Sequence, residues 1–150
     1  MIRFLLQAAL ILVVLIASWR IGGKPERYVS SIYFAMLLAS TANAFFGASG
    51  GDADYVRLHG FRFLLDLAAL AGVLWVALRF DRWWAIWVGS AQFIAVMAHC
   101  LRLLELPMPP IAYAVMERWP VWIAVVVTGT GTVLHYRRSK GRPCETWQPS

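Results

Sequence analysis

Asp66, His99 and Arg102 are the side chains of this sequence best able to do chemistry together. All three lie within or at the end of long apolar runs, where a charged group costs roughly 2.5–3.5 kcal/mol at mid-bilayer. A histidine with a carboxylate partner can carry a proton or act as a ligand. Arg102, three residues beyond His99, falls on the same helical face, and Arg62 precedes Asp66 by one turn. Asn43, Glu117 and Arg118 stand at a similar depth in their own runs, as do Gln7, Ser40 and Thr41. The candidate polar or ligand-binding cluster is therefore Asn43, Arg62, Asp66, His99, Arg102, Glu117 and Arg118. Such a group suits an anionic headgroup, a proton or a small molecule. The opposite halves of the runs hold little comparable, apart from Ser30, Ser31 and the stretch from Thr128 to Thr132.

A structural role competes with this reading. The strictly apolar cores, residues 67–78, 83–98 and 119–134, rise only roughly 18–24 Å at 1.5 Å per residue. The same charged residues then form an interfacial ring that snorkels into headgroups, or an ion-pair network.

Other chemistries have weaker support. Haem ligation by His59 and His99 is the one cofactor alternative, because both are expected on the same side, while His135 belongs to the other. Zinc wants three or four ligands. His99 and Cys100 are adjacent and diverge by about 100° on a helix, so a set with Asp66 and Glu105 is disfavoured and no metal site is assigned. No phosphate loop, GxSxG elbow or HExxH pair is present, so no catalytic residue is assigned and an enzyme is the less favoured class. No cofactor is implied by motif.

The elements that must position these residues follow from composition. Of 150 residues, 60% are hydrophobic and 15% charged, and the mean hydropathy is +0.61. Soluble domains carry about 25% charged residues, so lipid is the expected surroundings. The net charge of +6 lies between and after the apolar runs, which reads as topology and not as a nucleic-acid surface. Cys100 and Cys144 fall on opposite expected sides, which argues against a mutual disulfide.

The expected class is an all-α integral membrane protein, a compact bundle of five transmembrane helices. The approximate spans are 4–20, 28–47, 61–80, 83–104 and 111–136, followed by a basic, polar cytoplasmic tail, 137–150. The reversed charge order around the first run, Arg3 before it and Arg20, Lys24 and Arg27 after it, argues for a retained span and against a signal peptide. Residues 47–54, rich in Gly and Asp, read as a loop, Pro109 and Pro110 as a helix start, and Pro120 as a kink. Gly129 and Gly131 suit a close helix contact, and Ala69, Gly72, Ala91 and Ala95 a close pairing of the third and fourth helices. Trp19, Trp83 and Trp84 suit a headgroup boundary, while Trp75 and Trp122 lie deeper.

Arg3, Arg57, Arg62 and Arg102 would occupy one side. Arg20, Lys24, Arg27, Arg79, Arg82, Arg137, Arg138, Lys140 and Arg142 would occupy the other. Basic excess marks the cytoplasm, so the N-terminus is expected outside and the C-terminus inside, in a bacterial-type inner membrane. The leading functional expectation is a non-enzymatic accessory, assembly or lipid-contacting subunit, with the bilayer and other membrane subunits as partners and no nucleic acid. The alternative is a transporter or membrane enzyme handling a small molecule, proton or ion at an outward-facing site around Asp66, His99 and Arg102.

Overall fold

The computed structural model describes residues 2–46, 52–104 and 109–140. They form five helices and, among the described residues, no strand: α1 (Ile2–Ile21), α2 (Lys24–Phe46), α3 (Asp52–Phe80), α4 (Trp83–Leu103) and α5 (Pro110–Lys140). Each helix packs on its neighbour in sequence, α5 closes the ring against α1, and α2 also reaches α5 across the middle.

Three of the helices contain segments long and apolar enough to cross a membrane: Phe4–Ile21, Gly60–Phe80 and Trp83–Arg102. The exterior is correspondingly apolar, with Leu78, Phe45, Ile111, Ile2 and Trp83 all more than 70% exposed. The interior reverses this pattern. Beside small apolar residues such as Val73, Val76, Val88 and Ala124 it buries Ser18, Glu26, Ser30, Asp66, Gln92, His99, Thr128 and Thr132. Water would favour the opposite distribution; lipid tolerates this one.

The connections are tight where they are described. Gly22 and Gly23 alone join α1 to α2. The Gly22 amide donates to the Ser18 carbonyl at 3.0 Å, and a Cβ there would meet that oxygen at 2.6 Å, so only glycine fits the turn. Asp81 ends α3 in the left-handed region at φ 48, a conformation that Asp tolerates better than most residues.

Several boundaries differ from the sequence expectation. α2 begins at Lys24, a turn earlier than residue 28, so Glu26 belongs to the helix. α3 begins at Asp52, which turns part of the expected 47–54 loop into helix, while residues 47–51 lie outside the described residues. α5 continues to Lys140, so the first four residues of the expected tail are helical; the remainder, with Arg142 and Cys144, lies outside. Pro110 opens α5, where its missing N–H costs nothing. Pro120 neither ends nor restarts the helix.

Close packing follows the small residues, with one change. Ala69, Ala91 and Ala95 are buried, and α3 packs on α4. Gly72, however, faces α2, because its Cβ would meet Ile32 Cδ1 at 2.9 Å. Gly131 receives the Trp84 indole, whose Cδ2 would lie 3.2 Å from an added Cβ. Trp75 does not pack in the core; it is 54% exposed and meets Tyr28 edge-on at 5.7 Å.

Candidate functional site

Asp66 lies on the buried stripe of α3 with Ala69, Leu70, Val73 and Val76, the i, i+3, i+4 spacing of one helical face. On α4, Val88, Gln92, Ala95, Val96 and His99 form the facing stripe. Packing these stripes together brings Gln92 and His99 onto the two carboxylate oxygens. Gln92 Nε2 donates to Asp66 Oδ1 at 2.8 Å, and the same nitrogen lies 3.3 Å from the Asp66 carbonyl oxygen. His99 Nε2 lies 3.0 Å from Asp66 Oδ2. With a proton on Nε2, the ring donates to the carboxylate and Nδ1 becomes its acceptor. On the far side, the Tyr33 hydroxyl donates to Gln92 Oε1 at 3.1 Å. One amide thus joins α2, α4 and α3, and a buried polar network of this kind is stable only when its members find partners. The Phe63 ring meets the His99 ring edge-on at 6.0 Å.

Asp66 and His99 border a cavity of about 170 Å³. Every helix contributes to its wall: Gln7 from α1, Ser40 and Met36 from α2, Arg62 and Leu65 from α3, His99 from α4, and Arg118 and Val121 from α5. Arg62 and Arg118 are exposed, so the cationic groups stand at the rim and the carboxylate at the floor. The volume would hold several waters, each needing roughly 10–15 Å³ of such space, or a small molecule.

Of the residues singled out from sequence, Arg62, Asp66, His99 and Arg118 meet at this cavity. Arg102 is exposed and is not among the residues that line the cavity. Asn43 is half-buried on α2 and is also absent from the lining. The Glu117 side chain, and that of His59 in the haem alternative, fall outside the described side chains. Among the described residues no three His, Cys, Asp or Glu side chains are grouped to hold a metal.

Three contributors went unnoticed in the sequence. Gln92 precedes His99 by seven residues, two helical turns, and that spacing could have revealed it. Tyr33 lies inside the second apolar run, where nothing in the spacing sets it apart. Glu26 falls between the expected spans, yet it is 1% exposed and its Oε2 has no hydrogen-bond partner among the described residues. The half of the bundle away from this cavity is therefore not purely apolar. Its hydroxyls are also engaged: Ser18 Oγ lies 3.1 Å from Thr132 Oγ1, and Thr128 and Thr132 donate to the carbonyls of Ala124 and Thr128 at 2.7 and 2.9 Å. No protein-family model matches the chain, and no curated protein or solved structure matches it either.

Proposed function

We propose that the chain is a five-span membrane protein, N-terminus outside and C-terminus inside, that binds a small oxyanion in an outward-facing cavity. The observation that carries this reading is the arrangement of two arginines at the rim, Arg62 and Arg118, above a histidine–carboxylate pair. Guanidinium groups present forked N–H donors that match carboxylate or phosphate oxygens. At the floor, Asp66 and His99 suit a hydroxyl or acidic proton on the same ligand. A phosphate group or a small hydroxy-carboxylate fits both ends and the available volume.

The multi-span topology draws support from the apolar exterior and from the charge. Arg20, Lys24, Arg27, Arg79, Arg137, Arg138 and Lys140 are exposed and cluster at one end, where Tyr28 meets Phe80 at 5.8 Å and Arg27 lies 6.0 Å from the Trp19 ring. The hydrogen bond from Lys140 to Tyr136 raises the lysine pKa. Basic excess of this kind faces the cytoplasm, and the cavity then opens on the other side. An accessory subunit would need no cavity reached by all five helices, so the ligand-handling reading takes precedence over it.

The test is binding to the purified protein in mild detergent. Inorganic phosphate and short hydroxy-carboxylates should raise the thermal midpoint of the wild type and leave Arg118→Ala unmoved. Losing a hydrogen bond to a charged group, about 1.5–3 kcal/mol, corresponds to roughly 10–150-fold in affinity. Nanodiscs with and without phosphatidylglycerol separate a free anion from a lipid headgroup. Equal midpoints for wild type in phosphate, hydroxy-carboxylate, phosphatidylglycerol and chloride would refute the reading.

A further inference from the structure

Glu26, Ser30 and Tyr33 recur at intervals of four and three residues on α2, so they share one face. Thr128, Thr132 and His135 do the same on α5. The two stripes face each other. A Cβ on Gly23 would meet Glu26 Oε2 at 2.9 Å, His135 Cε1 at 3.1 Å and His135 Nδ1 at 3.4 Å. Deeper in, Ser30, Tyr33 and Thr128 line a common void of about 10 Å³, roughly the room one water needs. Ser18 joins from α1 through Thr132. Beyond the void, Tyr33 contacts Gln92, Gln92 contacts Asp66, and Asp66 contacts His99 at the outer cavity. The buried polar side chains among the described residues all belong to this one column.

A spine that only held the helices together would have its buried members satisfied. Glu26 Oε2 breaks that rule at the basic end, buried and unpartnered beside an imidazole. It is a proton acceptor with no donor supplied. The other end of the column closes on a carboxylate in direct contact with a histidine, Asp66 and His99. Ionisable groups inside a membrane bundle mark proton relays.

We propose that this column carries protons across the bundle between Glu26, with His135 near it, and the Asp66–His99 pair. A proton entering from the basic end adds to the His135 imidazole and passes to the Glu26 carboxylate, which becomes a carboxylic acid. Ser30, Thr128 and a water in the void each accept one proton and release another. The Tyr33 hydroxyl gives its proton to the Asp66 carboxylate and takes one from the water. Once Asp66 is protonated, His99 moves its own proton from Nε2 to Nδ1 through cavity water, accepts the Asp66 proton on Nε2 and releases the Nδ1 proton into the outer cavity. One proton enters, one leaves, and each group returns to its starting state. The Gln92 amide holds both Tyr33 and Asp66 and does not itself pass a proton, so it acts as the gate. Transfer requires the Tyr33 hydroxyl to leave Gln92 Oε1 for the carboxylate beside it. The proposal rests on the multi-span topology and is independent of the oxyanion.

The test uses the full chain in phosphatidylcholine vesicles with a trapped pH dye and a potassium-plus-valinomycin potential. Wild-type vesicles should acidify faster than protein-free vesicles. Glu26→Gln and Tyr33→Phe, which keep the side-chain shape, should slow the rate at least tenfold. Gln92→Ala, which admits water between Tyr33 and Asp66, should accelerate it. Circular dichroism and gel filtration report whether each variant is folded. Should Glu26→Gln misfold, Tyr33→Phe decides, since it removes a single hydroxyl. A wild-type rate equal to that of empty vesicles overturns the proposal, as does an undiminished rate in Tyr33→Phe. Oxyanion binding in detergent without any proton flux overturns this proposal alone; flux without binding supports it and overturns only the cavity reading.

Discussion

The His99 imidazole lies 3.0 Å from the Asp66 carboxylate, 33 residues away in sequence and buried with it between α3 and α4. The partner oxygen of that carboxylate is held by Gln92. Asp66 therefore has both oxygens engaged, and its stability depends on keeping them so.

Removing His99 should cost more than neutralising Asp66. His99→Ala leaves Oδ2 buried without its partner, a loss of about 1–3 kcal/mol, and more if the carboxylate stays charged. Asp66→Asn keeps the shape and still accepts from Gln92, so its loss should be smaller. Replacing both residues by leucine removes the unpaired groups between them but strands the buried Gln92 amide, so it should recover only part of the deficit. Denaturant or thermal unfolding in detergent orders the three variants; a double variant weaker than His99→Ala contradicts the account.

Gly131→Val should destabilise the contact between α5 and α4. The Trp84 ring already lies 3.2 Å from where a Cβ would stand, and overfilling a packed site costs about 1–3 kcal/mol. Gly129→Val meets only the Val14 methyl at 3.4 Å and should cost less. The thermal midpoints of the two variants compare them directly.

The Ser18–Thr132 contact should contribute little. A double-mutant cycle through Ser18→Ala and Thr132→Val is expected to give a coupling of about 0.6 kcal/mol, the usual size for interhelical hydrogen bonds in membranes. A coupling well above about 2 kcal/mol would mean that the pair does more than tie α1 to α5.

Orientation is open to a fusion assay. A fluorescent protein at the C-terminus should be bright and alkaline phosphatase at the same place inactive, because the basic end is expected on the cytoplasmic side. The reverse pattern would turn the cavity inward and remove the outward-facing site.

Much of the architecture was readable before any coordinates. The five apolar runs expected at residues 4–20, 28–47, 61–80, 83–104 and 111–136 each correspond to one of the five helices. Such signals are local: a helix's existence follows from the residues within it. The ends moved by a turn or more where polar residues can be helical or not, as at Lys24, Asp52 and Lys140.

Sequence alone singled out Asp66 and His99, since charge in an apolar run is conspicuous wherever it points. It also determined that the surroundings must be apolar. Only the tertiary structure decided which charged residues meet. Arg102 shares a helical face with His99 on paper, yet the cavity takes Arg118 from α5 in its place. The partners of Gln92, and the roles of Tyr33 and Glu26, became visible only when α2, α3, α4 and α5 were assembled, because those partners lie dozens of residues away. Helical periodicity fixes a direction around one axis. Which neighbour fills that direction depends on how five such axes close into a ring, and no spacing within a single helix carries that information.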